Sequence, residues 1–406
     1  MSIRFSFTNL LANAAVQANG SVDSAYPAAN ARSPERPFRP FKSLRADIDH
    51  DLRFDLGVAT VLDIVALLHP NITNAEVEGY DDIVGLTGKV YDSGALTIGR
   101  SPNGRYHHGH QTGGTFNQQG LRIYIPTQAL TAPGADYATD GGYENWTGGV
   151  PDSWTVAGAG ATATQLTTFG QFRSGLSAAL LTRSGADCSL TQDAATLTEV
   201  AAWWQGRRVV LSASVYATVA SRVRLVINDG VGSSTSSFHT GGSGWETLTV
   251  SRTMDASATQ AVIGLEIVTG DTTARIDDLT FRVSHFSVGG IWGGALVTPP
   301  GDVMIGTRER AEEAVEDARP SHGGWAQRLK MGDPKMRVLI RRIAESESAL
   351  ASWREIDRQW EQVDYALVSL RDAFPAETFV MRRVAASEWS HGRVMESDLE
   401  LEEVVR

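Results

Sequence analysis

One cysteine, Cys188, is all that the 406-residue sequence contains. That excludes a disulfide framework and a thiolate metal cage. Its neighbours Ala186 and Leu190 mark it as a small buried strand residue rather than a reactive thiol. Positive charge is also short: 36 Lys and Arg against 47 Asp and Glu leave a net charge of −11. A general nucleic-acid binder needs a positive face to displace counterions, so no nucleic-acid partner is expected, and the acidity reads as solubility. No run approaches the ~20 apolar residues of a membrane-spanning helix, so no membrane insertion is expected. The opening MSIRFSFTNLLANAAVQANG has one basic residue, and Ser6, Thr8, Asn9 and Asn13 break its apolar run. It lacks the pattern of a secretion signal, and synthesis in the cytoplasm is the expectation. Motifs of common catalysts are missing too: there is no G-x-S-x-G elbow, no P-loop and no H-E-x-x-H.

What the chain does have is strand texture. Forty glycines and many Ser, Thr, Val and Ala residues favour short strands with frequent turns. A proline-dotted segment, SAYPAANARSPERPFRPFKS, excludes helix, and Tyr26, Phe38 and Phe41 suggest an ordered segment pinned by aromatics. LRFDLG (52–57) alternates as a half-buried strand does, and Val61 to Leu68 reads as a central strand. KVYDS, ALTIG and LRIYIPT follow as strands, with RSPNGRYHHGHQTGG between the last two as a loop. The stretch 143–283, from YENWTGG to ARIDDLTFRV, reads as a complete β-sandwich module. After it HFSVGGIWGGALV resumes, and LRIYI and this segment are expected to pair across the insertion. From 299 onward the chain is charge-rich. Ala349, Leu350, Trp353, Ile356 and Trp360 form one helical stripe, flanked by the strands RVLIRRI, ALVSL, TFVMRRV and ESDLELEEVV. Residues 307–318 fit either a helix or an exposed charged strand.

Three groups of residues have chemistry to offer. Imidazoles at the spacing of His107, His108 and His110 are able to ligate a transition metal, though a solvated or interface loop is the favoured reading. Asp277 and Asp278 are adjacent in a strand and so point to opposite faces, which rules out a shared acid/base role. One of them is suited to a structural Ca²⁺, or to capping a strand end. The insert also holds Trp146, Trp154, Trp203, Trp204 and Trp245. Flat rings on a sheet stack on sugar C–H faces, but Trp is equally a large core residue. Trp154 reads as core. If Trp203 and Trp204 lie in a strand, one of them points outward.

The order YENWTGG, PDSWTVAGAGAT, SGLSAALLT, WQGRRVVLSASVYA, GWETLTVSRTM and ARIDDLTF resembles the carbohydrate-binding modules with a jelly-roll fold. That resemblance implies glycan contacts at Trp203, Trp204, Trp146 and Trp245. It also implies a structural calcium between first and last strands at Glu144 and Asp277 or Asp278, with no other cofactor required. LRFDLG with LDIVALLHPNIT, LRIYI with FSVGGIWGGAL, and the C-terminal RVLIRRIA, ESESALASWREIDRQW, ALVSL and DLELEEVV are similar to tailed-phage tail proteins with a discoidin-like sandwich. The fold class implied is mainly β. Residues 1–138 and 285–298 make a discontinuous discoidin-like, galactose-binding-like host sandwich. Residues 139–284 make an inserted jelly roll, and 299–406 a small C-terminal α+β docking domain. The function implied is that of a non-catalytic virion structural protein of a phage tail or tail-tip appendage. Its partners would be other tail proteins, copies of itself and a cell-surface glycan met by the outward module. Alternatives are a purely architectural tail protein, or a carbohydrate-binding accessory of a polysaccharide-degrading enzyme. An enzyme would need an acid/base carboxylate pair in a cleft, and none is evident.

Overall fold

A computed structural model describes residues 3–32, 40–68, 70–99, 107–127, 136–299, 303–310, 313–318, 326–331, 335–344, 346–370, 375–376, 378–386 and 395–403. The chain forms two compact units. One comprises 1–43, 48–128 and 286–406, and the other 44–47 and 129–285. As expected from the sequence, the chain is mainly β.

In the first unit the central strand is longer than its pattern suggests. The two runs 52–57 and 61–68 are one 19-residue strand, His50–Leu68. Its register against His107–Ile125 shifts between Asp55 and Thr60 and again between Leu62 and Ile64. Bulges of this kind bend a long strand without ending it. The sheet runs in the order Ala15–Asn19, His50–Leu68, His107–Ile125, Asn74–Asp82, Thr87–Asp92. Gly290–Gly294 pairs with Ile64–Leu68 of the central strand, not with the LRIYI stretch as its position around the insertion had suggested. Ser287–Val288 pairs with Phe41–Lys42. Phe38 and the prolines between Ser33 and Arg39 lie outside the described residues.

The expected HHGH loop is also corrected. His107 to His110 open the His107–Ile125 strand. Gly109 faces the Thr378–Ala386 strand so closely that a Cβ there would meet the Thr378 side chain. His108 is 5% exposed, and desolvation, with the neighbouring His110, pushes its imidazole down to about 4. His110 is likewise shifted down by burial and lies 2.5 Å from the Tyr91 hydroxyl. The sequence around them is polar, so its composition reads as a loop. The buried neighbours Val65 and Leu67 on the central strand make it a core strand instead.

A second sheet in this unit runs Arg4–Ser6, Ala366–Ser369, Thr378–Ala386, Met395–Glu403, Lys335–Ala344, Val303–Arg310. The helix Glu347–Trp360 begins where the Ser346 hydroxyl accepts the Ala349 N–H at 3.1 Å. Its stripe Leu350, Trp353, Ile356 and Trp360 is buried against Phe5, Phe379, Leu399 and Leu401. The described residues of 307–318 are strand: Val303–Arg310 joins the sheet, and Glu313–Ala318 pairs with Ala326–Met331.

The second unit is a sandwich of two five-stranded antiparallel sheets. One runs Thr155–Ala157, Cys188–Asp193, Val262–Ile267, Val223–Asn228, Ser233–Thr235. The other runs Thr162–Leu166, Ala178–Thr182, Thr273–Val283, Arg208–Ala217, Gly244–Thr253. Strict alternation builds the core. Val209, Leu211, Ala213, Val215 and Ala217 of one strand meet Ile263, Leu265, Ile267, Leu225 and Ile227 of the facing sheet. Trp154 and Cys188 join this core, and burial pushes the Cys188 thiol up, consistent with an inert side chain. The Gly-rich stretch before Trp245 is a turn, with positive φ at Gly241, Gly242 and Ser243.

Candidate functional site

The alternation that fills the core leaves the other parity of the second sheet facing away from it. One cross-strand row there runs from Thr164 to Leu180, Arg275, Tyr216 and Trp245. Inward neighbours on these strands, among them Leu181, Ala274, Ile276, Val215 and Ala217, are fully buried or nearly so. Leu180, Arg275, Tyr216 and Trp245 are half-buried, with Thr164 exposed at the edge. The Tyr216 and Trp245 rings meet edge to face, their centroids 5.8 Å apart. On the other side of Tyr216 the Arg275 guanidinium carbon lies 4.4 Å from its ring centroid. Two open rings and a cation thus share one line on a rigid sheet. Hydroxyls flank them: Ser214 pairs with Thr247, and the next row holds Ser212 and Thr249, whose hydroxyls are 3.2 Å apart. Apolar faces bordered by hydroxyl donors and acceptors are what an amphipathic ring compound such as a sugar requires.

The facing sheet shows no such line. Outward from it stand Ser189, Thr191, Val226 and Asn228, with Arg224 paired to Glu266 and stacked over Phe238.

A loop closes over the next row of the candidate face. Asp277 pairs with Ser214 and is 0% exposed although it lies on the outward side. Its Oδ2 accepts the backbone N–H groups of Arg173 at 2.6 Å and Ser174 at 3.0 Å, and its Oδ1 that of Asp278 at 2.7 Å. Asp278 sits at φ 52°, beside the register shift between Ser212 and Ser214. That bulge overturns the expectation of opposite faces, because the Asp278 carboxylate turns back to accept the Ser174 hydroxyl. Glu144 completes the clamp, its Oε1 accepting the Leu176 N–H at 2.9 Å. The structure therefore brings all three acidic residues singled out in the sequence onto one loop, 173–176.

Calcium chemistry fits part of this set. Burial raises the Asp277 carboxyl above its ordinary range, and its N–H donors only partly offset that. Asp229 is its opposite: desolvation there is outweighed by Arg252 at 2.7 Å and by backbone N–H groups, so its carboxyl falls well below the ordinary range. Asp277 is thus a buried carboxylate with no cationic side chain on it, and Glu144 reaches the same loop from the other end of the module. An oxygen-only pair of this kind suits a hard cation that also takes carbonyl oxygens. Asp278, held by Ser174, is not needed for it. Among the described residues, the only trio of acids or imidazoles with ligand atoms within 4.8 Å is Glu76, Glu78 and Asp92, in the first unit. Lys89 lies 3.0 Å from Glu78 and 2.7 Å from Asp92, and Arg122 2.8 Å from Glu78, so cationic side chains already engage two of its three carboxylates.

The tryptophans separate by environment. Trp245 lies on the open face. Trp204 is 0% exposed, stacked on Phe281 at 5.0 Å, and is a core residue rather than a contact for any ligand. Trp203 is half-buried between Tyr137 and Trp204, with the Arg207 guanidinium 4.0 Å from its centroid. The pair sits in a helical turn, Ala201–Trp204, so strand parity does not apply to it. Trp146 is half-buried in a two-residue strand, its Nε1 donating to the Tyr143 carbonyl at 2.7 Å. Tyr216 and Arg275 were not singled out from sequence. The signal was present, since in RVVLSASVYA Tyr216 has the parity opposite to Leu211 and Val215.

No protein-family model matches the chain, and no curated relative does. Similar solved structures exist. The CBM22-1 xylan-binding domain of Paenibacillus barcinonensis Xyn10C is 14% identical, with a TM-score of 0.30, over 38% of this chain and 97% of that domain. TmCBM61, solved with β-1,4-galactotriose, is 15% identical at a TM-score of 0.29, over 37% of this chain and all of that one. The enzymatically active domain of bacteriophage CBA120 tailspike protein 4 is 16% identical at 0.27, over 36% of this chain and 21% of that one.

Proposed function

We propose that the 129–285 unit is a non-catalytic carbohydrate-binding module, and that the chain carries it as a structural protein of a phage tail or tail-tip appendage. The observation that supports binding is the line Arg275, Tyr216, Trp245 on the open face, bordered by Ser212, Ser214, Thr247 and Thr249. The virion half of the reading rests on the sequence patterns shared with tail proteins. Binding proceeds without turnover. Glycoside hydrolysis needs two carboxylates flanking the bond, and the two on this face, Asp277 and Asp278, are committed to the 173–174 backbone and hydroxyl. Single-site affinity of a shallow face is modest, and many copies on one particle raise it by avidity.

Titration of the full chain with a panel of oligosaccharides tests the reading. Saturable binding that Trp245→Ala and Tyr216→Ala each weaken supports it, and no binding across the panel contradicts it. A second reading is a purely architectural insert that contacts neighbouring subunits. Phe169 at 94% and Leu176 at 78% exposure favour it, since both lie on or next to the clamped loop as apolar surface.

A further inference from the structure

We propose that the glycan bound on this face is acidic, a chain bearing uronate or similar carboxylate groups, and that Arg275 reads the carboxylate. The inference rests on the carbohydrate-binding reading and adds the substrate class to it.

Among the described residues Arg275 has no hydrogen-bond or ion-pair partner, and its one contact of note is the Tyr216 ring. An arginine on an acidic protein ordinarily finds a carboxylate, and its neighbours here show the contrast. Arg183 is paired with Asp187 and Asp271, Arg224 with Glu266, and Arg252 with Asp229. Arg275 is left unpaired because its own cross-strand row, Thr164, Leu180, Tyr216 and Trp245, holds no acid. Outward positions of the five strands are Thr162, Thr164 and Leu166, then Ala178, Leu180 and Thr182, then mainly hydroxyl, aromatic and arginine residues with Val210 and Asp277 among them. Of the two carboxylates, Asp277 is buried beneath the loop and Asp278 is held by Ser174. Arg208 and Arg282 stand on the same face but each has an acid beside it, Asp47 at 3.6 Å and Asp136 at 3.9 Å, whereas Arg173 is exposed on the loop above with no side-chain partner among the described residues.

A chain with a net charge of −11 has thus left one guanidinium without a carboxylate on the face that also presents open rings. The Tyr216 ring, 4.4 Å from the guanidinium carbon, holds the cation at the face while its N–H groups remain for a partner. That edge matches a carboxylate with two parallel N–H···O bonds. A neutral sugar would satisfy the rings and hydroxyls and leave the guanidinium unmatched.

The test uses the full chain, with oligogalacturonate and its carboxyl-reduced neutral counterpart as paired probes. The acidic probe is expected to bind about tenfold more tightly, the range of one charge-assisted hydrogen-bonded pair. The preference is expected to shrink as salt rises from 0.05 to roughly 0.5 M, as screening requires. In Arg275→Gln the acidic-to-neutral ratio is expected to fall toward one, and Arg275→Lys is expected to restore part of it. Melting temperature on each variant verifies folding, and the salt series on the unaltered chain stands independently of them. Equal affinity for both probes, or an acid preference untouched in Arg275→Gln, overturns the inference while leaving carbohydrate binding intact. Failure of both probes and of the neutral panel removes the binding reading itself.

Discussion

Tyr216 and Arg275 face each other across two antiparallel strands, the guanidinium carbon 4.4 Å from the ring centroid, and Trp245 flanks the same ring from the opposite side. Three neighbouring strands each supply one member, so the spacing of the line is set by the sheet and not by flexible loops. Sites built on strands hold their geometry without an ordering cost on binding.

The first expectation separates surface from core within the tryptophans. Trp245→Ala removes an open ring and is expected to cost binding, with stability changed by no more than about 1 kcal/mol. Trp204→Ala empties a fully buried site against Phe281 and is expected to cost about 3–5 kcal/mol of stability. Calorimetry on both variants, beside a binding titration of Trp245→Ala, checks the split. Equal destabilisation by the two would place Trp245 in the core.

Calcium is expected to act on the loop clamp. With Asp277 buried and its carboxyl raised, a cation at Asp277 and Glu144 relieves charge that no side chain offsets. Millimolar Ca²⁺ is therefore expected to raise the melting temperature of the sandwich by several degrees, the size of shift about 1–2 kcal/mol produces. A chelator should reverse the rise, and Asp277→Asn should abolish it. An unchanged melting curve with and without Ca²⁺ would show that the backbone N–H groups are sufficient.

Acid should loosen the sandwich through Asp229. Its desolvation is outweighed by Arg252 and by the N–H groups of Asp255, Gly232 and Val231, so its carboxyl lies well below the ordinary range. A carboxyl depressed in the folded state contributes stability above its unfolded value of about 3.9, and that contribution fades as pH falls below it. Denaturation followed from pH 5 to pH 2 is expected to show the loss, and Asp229→Asn to flatten it while lowering stability at pH 7.

A different window applies to the first unit. His108 titrates near 4 when folded, chiefly through burial and then through His110, against about 6.5 when unfolded. An imidazole depressed by folding stabilises the neutral-pH state, and that stability is lost as pH falls from about 6.5 to about 4. The full contribution is on the order of 3 kcal/mol. Denaturant midpoints across that range should fall with pH in the native chain. In His108→Gln they should fall less steeply.

Much of this was legible in the sequence wherever local pattern and burial agree. The helix stripe Leu350, Trp353, Ile356 and Trp360 has one periodicity and one buried face, and it folds as its pattern indicates. The sandwich strands alternate so strictly that their core residues follow from parity. Pattern failed where tertiary context decides. His108 and His110 lie among Gly, Gln and Asn, yet burial against Val65 and Leu67 makes their segment a strand. The partner of Gly290–Gly294 depended on long-range pairing that no local signal encodes. At the candidate site, Trp245 was visible as a tryptophan, but its companions Tyr216 and Arg275 come from two other strands. Only the sheet order sets Arg275 beside Tyr216. Asp277 and Asp278 share a loop because of a bulge, and a regular strand would have sent them apart.

A crystal structure of the full chain with a bound oligosaccharide tests the central claim most directly. Sugar rings are expected along Tyr216 and Trp245, with a polar group of the sugar at the Arg275 guanidinium. Sugar bound elsewhere on the chain, with Tyr216 and Trp245 bare, would contradict it.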